Sequence, residues 1–185
     1  MNLKTHKFQI TGLTPLLQNS SAAFVLATPT TVKTNKKPTR EEEAEAKAWK
    51  DEKGFFHPSQ AFRSALLLSL GGKKVGKRSA RSAFMAAVFC SEEKFYLLDP
   101  DTGKPIKGYT LDTRMATTKM KTAIANTRPR FETWGGILRL EVDEDMIPDI
   151  ALVEQALNDS GLYPGVGSFR ICNGGTFGRF MAKRL

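Results

Sequence analysis

The stretch YPGVGSFRICNGGTFGRFMAKRL, Tyr163 to Leu185, decides how this chain is read. It carries five glycines, Gly165, Gly167, Gly174, Gly175 and Gly178, and three arginines, Arg170, Arg179 and Arg184. Glycine tolerates positive φ and lets a backbone approach something closely. Two partners are open for it. One is a phosphate met by backbone N–H groups; the other is the chain's own backbone at a tight helix-to-strand crossing. The residues on either side place the glycines. IPDIALVEQALNDSG predicts a helix with Ile150, Val153 and Leu157 inward and Gly161 at its C-terminus. FGRFMAKRL predicts a last strand.

Working backwards, GGILRLEVDED alternates Leu138, Leu140 and Val142 with Arg139 and Glu141, the pattern of a half-buried strand. Before it, TRMATTKMKTAIANTRPRF contains no acidic residue and is rich in threonine and methionine. It reads as an exposed excursion between strands at about 112–130, lined by Arg114, Lys119, Lys121, Arg128 and Arg130. KFYLLDPDTGKPIKGYTLD reads as a hairpin around DPDTGK. KKVGKRSARSAFMAAVFC predicts a helix with Ala80, Phe84 and Val88 at four-residue spacing. HPSQAFRSALLLSLGG predicts another, with Pro58 in its first turn and Gly71 as its stop. HKFQITGLTPLL is a strand with Phe8 and Ile10 on one face, ending at Gly12 and Pro15.

Residues 19–53 stand apart. Ser, Thr and Ala give way to KTNKKPTR and then to EEEAEAKAWKDEKG, where Thr39 and the glutamates behind it favour a helix start. The segment has few apolar anchors, so it reads as an insertion or arm. Trp49 and AAFVLA could dock it on a neighbouring copy as a clasp, or on its own domain. The whole order, strand, helices, hairpin, strand, helix, strand, predicts a single α+β domain over 1–185. Its core would be ferredoxin-like or RRM-like, β-α-β-β-α-β, with an N-terminal insertion and a C-terminal glycine-rich loop.

The chain has 185 residues and a formal charge of +9. That excess attracts polyanions, among which nucleic acid is foremost. Between Gly54 and Ser91 there is again no acid, and Arg63, Lys73, Lys74, Lys77, Arg78 and Arg81 all fall in that span. A solvated surface normally mixes signs, so both acid-free spans are candidate phosphate-binding surfaces, joined by Arg170 and Arg179 of the glycine-rich stretch. Phe131, Trp134, Phe169 and Phe177 lie near basic residues, but each reads as core before it reads as a stacking platform. Backbone binding is therefore expected over base readout.

Several chemistries lack their signatures. There is no HExxH, no CxxC and no GxxxxGK[ST], so no metal and no cofactor is expected. His6 and His57 are the only histidines, and nothing in their spacing supplies a second acid or base. Cys90 and Cys172 read as free, half-buried thiols of a cytoplasmic protein. No apolar run approaches the length of a membrane span.

Gly165, Gly167, Gly174, Gly175 and Gly178, followed by Arg179 and Phe180, stand between the second helix and the last strand of this order. In that position they resemble the signature of the RAMP superfamily, the RNA-binding subunits of CRISPR effector complexes. TRPRFETW and HPSQAFRSAL are similar to the backbone subunit of that group and to its small phage-encoded relatives. The resemblance implies a non-catalytic protein that binds single-stranded nucleic acid, RNA favoured over DNA. It also implies assembly along the strand, as a homo-oligomer or among effector-complex subunits, with no membrane partner. Two alternatives go with it: a metal-independent RNA endonuclease using a histidine, and a phage interaction protein or inhibitor that mimics a CRISPR subunit.

Overall fold

The computed structural model describes residues 1–20, 38–117 and 123–185. The apolar AAFVLA of the expected arm lies outside them, as do Lys119 and Lys121. Phe8 and Ile10 alternate with Lys7, Gln9 and Thr11, which gives strand β1 (Leu3–Gly12) one buried and one solvated face. A short β2 (Leu16–Leu17) follows, and Gln18 behind it is fully buried. The Gln18 amide donates to the Phe56 carbonyl (2.7 Å) and accepts from the Trp49 N–H (2.8 Å).

Helix α1 (Arg40–Lys47) begins at a capping box. Thr39 Oγ1 accepts from the Glu42 N–H at 3.2 Å, and the Glu42 carboxylate accepts from the Thr39 N–H at 2.8 Å. The helix is docked on its own domain: Ala44 is fully buried, and Lys47 reaches Asn126 Oδ1 (2.6 Å) and the Thr127 carbonyl (3.0 Å). Of residues 19–53, the described C-terminal part thus leans on the body of the protein.

Strands β3 (Lys50–Asp51) and β4 (Gly54–Pro58) lead into α2 (Ser59–Ser69). The next stretch departs from expectation. Its first half is not helical but a small hairpin, β5 (Lys74–Val75) and β6 (Arg78–Ser79), because Gly76 at φ 59 turns the chain back. Helix α3 covers only Ala80–Ala87, and β7 (Val88–Cys90) takes the Val88 that was expected in the helix. The expected hairpin around DPDTGK also differs. Strand β8 (Lys94–Tyr96) pairs with β4, not with the run that follows it. Asp99 does fold the turn, accepting from the N–H groups of Asp101 and Thr102 (both 2.9 Å). Pro100 and Pro105 have no N–H to donate, and only the Leu98–Pro105 bridge forms.

Strands β9 (Thr110–Thr117) and β10 (Ala123–Phe131) form an antiparallel ladder, with β2 on the outer side of β10. Residues 112–130 are therefore mostly sheet, and Asp112, Thr127 and Arg128 are buried in it. Strand β11 (Gly135–Asp143), helix α4 (Ala151–Leu162) and β12 (Phe180–Arg184) complete the chain.

The main sheet has the order β12-β1-β11-β7, antiparallel throughout. Phe8 pairs with Leu138, Ile10 with Ala182 and Val88 with Val142, so one face is apolar. It merges into one core with Phe62 and Leu66 of α2, Phe84 of α3, and Val153 and Leu157 of α4. Phe62 is central, with ring centroids 4.6 Å from Phe95 and 5.3 Å from Phe180. The protein is thus mixed α+β with antiparallel sheets and, among the described residues, four α-helices. None of these helices is long and apolar enough to cross a membrane.

Two contacts seat α4 on β12. The Asn158 side chain accepts from the Ala182 N–H (2.8 Å) and donates to its carbonyl (3.0 Å), like a one-residue strand. Gly161 lies at the C-terminus of α4, as expected, one residue before the last, Leu162. It sits against the Phe180 carbonyl, where a Cβ would lie 2.0 Å from the oxygen. Gly161→Ala should therefore cost on the order of 3 kcal/mol through a forced helix–strand separation, a drop in Tm of roughly 6–12 °C. Gly108→Ala, with open space around the new Cβ, is the control in the same melting experiment and should leave Tm unchanged.

Candidate nucleic-acid interface

The glycine-rich segment between α4 and β12 folds onto the chain's own backbone. Gly178, at φ +71, lies where a Cβ would be 1.7 Å from the Val166 carbonyl oxygen. A Cβ on Gly175 would be 1.6 Å from that of Phe169. The N–H groups of Gly165, Gly174, Gly175 and Gly178 donate to the carbonyls of Ser160, Ile171, Arg170 and Pro15. These four face inward, which answers to the tight crossing among the two readings of the glycines. The crossing holds Phe169 at φ 51, an outlying conformation for an aromatic residue.

Strand pleating brings the arginines to those rings. Asp112 and Arg114 on β9 share a face with Arg128 and Arg130 on β10, since Asp112 pairs with Arg128 and Thr110 with Arg130. Arg128 lies over Phe169 at 4.8 Å; Arg114 and Arg130 lie over Phe177 at 4.7 and 5.5 Å. Asp112 holds the group together. It takes Arg114 in a fork (2.6 and 3.0 Å) and stands 3.6 Å from Arg130 Nη1. That hydrogen bond raises the Arg114 pKa, whereas desolvation lowers that of Arg128, only 6% exposed.

The cluster is short of acceptors. Among the described residues, the buried side-chain atoms without a hydrogen-bond partner are His57 Nδ1, Arg128 Nε and Nη1, and the Nε atoms of Arg130, Arg170 and Arg179. Arg130 Nε is 2.8 Å from Glu132 Oε1, an ion pair without hydrogen-bond geometry. Two of these residues belong to the glycine-rich segment, two stack on its rings, and His57 feels the charge of Arg170. A buried donor left unmet costs about 1–3 kcal/mol. Arg130 has Glu132 beside it; the other guanidinium N–H groups, on Arg128, Arg170 and Arg179, are left for ordered water or an acceptor-rich anion to meet. An open cleft of about 520 Å³ extends the cluster past Arg130, lined by Lys104, Lys107 and Tyr109.

The other basic span is placed differently. Arg63 donates to the carbonyls of Val88 (2.6 Å) and Met85 (2.8 Å), so it caps the end of α3. Lys73 pairs with Asp159 on α4 at 2.5 Å. Lys74, Lys77, Arg78 and Arg81 are exposed on the small hairpin and the start of α3. The structure therefore gathers Arg114, Arg128, Arg130 and Arg170 and leaves the 63–81 group beside the helices. The sequence reading did not single out Asp112, Lys104, Lys107 or the stacking of Phe169 and Phe177. An aromatic residue set among close-spaced glycines, Gly167 and Gly175, was the available signal for Phe169.

His57, on β4 opposite Phe95, is 5% exposed and borders a cavity of about 330 Å³ with Trp49, Ser168, Phe169 and Arg170. His6 pairs with Glu144 at 3.2 Å. Among the described residues, no group of three or more His, Cys, Asp and Glu side chains could hold a metal. Burial first, and then the charge of Arg170, holds the His57 pKa down at about 4 from its ordinary 6.5. Between those values the unfolded chain binds a proton that the folded chain refuses, so stability falls as pH drops from 6.5 to 4. His57→Gln should remove that part of the slope, on the order of 3 kcal/mol across the window. Denaturant unfolding of both proteins at pH 7 and pH 4.5 measures it; parallel losses would assign the slope to other groups.

No protein-family model matches the chain, and no curated protein matches it in sequence. Among solved structures, it is similar to Cmr6 from Pyrococcus furiosus, with 8% identity, a TM-score of 0.49, and coverage of 99% of this chain and 100% of that one. It is also similar to Cas6 in a product complex, with 13% identity, a TM-score of 0.34, and coverage of 96% and 51%.

Proposed function

We propose that this protein binds single-stranded nucleic acid through the sugar-phosphate backbone, RNA in preference to DNA, without cleaving it, and assembles with other subunits along the strand. The observation that carries the reading is the set of unmet guanidinium donors around the glycine-rich segment. Phosphodiester oxygens supply acceptors and charge together, and planar guanidinium groups suit them. The exposed lysines of the adjoining cleft extend the field. The sheet order β12-β1-β11-β7, with α2 and α3 between β1 and β7 and α4 between β11 and β12, supports a ferredoxin-like core. With the glycines before the last strand, it supports the RAMP-like reading, from which the preference for RNA and for a CRISPR-type assembly follows.

A second reading, a metal-independent ribonuclease, has one observation in its favour: His57 borders a cavity beside Arg170. Among the described residues, no second group suited to general acid or base catalysis borders that cavity. Incubating labelled RNA with the wild type and with His57→Ala decides between them. Intact RNA is the expected result, and defined fragments that vanish with His57→Ala would establish the nuclease.

A labelled oligonucleotide titrated at 50 and 200 mM salt should bind far more weakly at the higher salt. Arg128→Met keeps the aliphatic stem on Phe169 and removes the unmet donors. It should weaken binding about fivefold or more across all sequences while Tm holds or rises. A lower Tm with unchanged affinity would make Arg128 a structural residue. Lys119→Ala with Lys121→Ala, between β9 and β10 in sequence, should likewise weaken binding by about 1 kcal/mol, read in the same titration.

A further inference from the structure

The cavity beside His57 has a composition that the backbone-binding reading leaves unused. Its walls are two aromatic rings, Trp49 and Phe169, and among the described residues its one cation is Arg170. The remaining polar groups are neutral: His57, Ser168, and the amides of Asn19 and Asn173. Among the described residues, no carboxylate borders it. Two of its lining residues carry a buried atom without a hydrogen-bond partner, Nδ1 of His57, itself 5% exposed, and Nε of Arg170. One face of Trp49 is taken by Phe56, tilted at 5.9 Å. At about 330 Å³ the space is at the small end of ligand cavities, roughly 300–1,000 Å³. It suits one planar heterocycle with one anionic group.

Phe169 links this cavity to the arginine face. One and the same ring borders the cavity and carries Arg128 at 4.8 Å and Arg114 at 5.8 Å. A strand whose phosphates follow Arg114 and Arg128 thus arrives at the cavity within one residue's width. We infer that the cavity is a subsite for a single nucleotide of the bound strand, with the base against Trp49 and edge-on to His57 and the phosphate on Arg170. Base–aromatic contact is sequence-tolerant, because every base has a π-face. An uncharged histidine and two amides at the base edge add a preference among bases. This inference rests on the nucleic-acid reading and deepens it: most of the strand is held without regard to sequence, and one position is read.

The test uses the full chain and end-labelled decamers of rA, rC and rU, with an abasic ribose-phosphate decamer as the fourth probe. Binding is followed by anisotropy and, in parallel, by tryptophan emission. Trp134 is fully buried in the core, so the change lost in Trp49→Phe reports the cavity. The expected result is quenching of Trp49 by the three base-bearing decamers and not by the abasic one. Arg170→Met should weaken all the base-bearing decamers about tenfold. His57→Phe should shift the ranking among rA, rC and rU at least threefold while leaving the abasic decamer unaffected. Asn173→Ala, at an exposed position, provides the same test of ranking should His57→Phe not fold. Decamers that bind with Trp49 emission unchanged, or with a ranking indifferent to both variants, overturn the subsite and leave the backbone reading intact. Equal quenching by the abasic decamer overturns it too, since only phosphate would then enter. Absence of any binding removes both readings together.

Discussion

Gly178 pressed against the Val166 carbonyl is the contact on which the rest of the structure depends. Around it, two distant parts of the chain are stitched together. The Gly178 N–H donates to the Pro15 carbonyl and the Val166 N–H to that of Gly178 (both 2.9 Å). The Arg179 carbonyl accepts from Leu13, and its N–H donates to Thr14 Oγ1 at 3.0 Å. The turn after β1 and the approach to β12 therefore form one unit, locked at a separation that no side chain permits. That lock fixes Gly175 under Phe169 and sets Phe177 beside it, and the two rings give the arginines of the β9–β10 ladder a surface to lie on.

Three guanidinium groups do not gather on a sheet face unaided. Asp112, buried between them, offsets part of their repulsion, and the aromatic faces stabilise more of it through their quadrupoles. The compensation is incomplete. Asp112 serves Arg114 fully and Arg128 only through space, while Arg130, at longer range from Asp112, donates to Glu132 at 2.9 Å. What is left over is directional: N–H groups already desolvated and aimed, which lose little on meeting an anion. Unmet donors of this kind call for a water, an ion or a ligand as their partner.

Much of the architecture was legible from pattern. The alternation in β1 and β11, the inward Val153 and Leu157 of α4, and the capping box at Thr39 all depend on local periodicity or local chemistry, and all are found in the structure. What escaped depended on partners distant in sequence. Strand β8 pairs backwards with β4, and Val88 leaves a helical spacing to pair with Val142. At the site, Arg114, Arg128 and Arg130 were picked out by the absence of acids around them. Composition could not separate these from Arg63, whose guanidinium serves two carbonyls at the end of a helix. It also could not foresee that Asp112, the residue bordering the acid-free span, would be the one that organises it.

The outer edge of β12 carries a further consequence. Asn158 occupies both main-chain groups of Ala182 there, as the next strand of a sheet would. At the opposite edge β7 is three residues long, and Arg63 already takes the Val88 carbonyl. The four-stranded sheet is thus closed to extension on either side, a protection against edge-to-edge aggregation and strand swapping. Copies brought side by side at high concentration can then stay distinct folded units, with no strand lent to a neighbour's sheet.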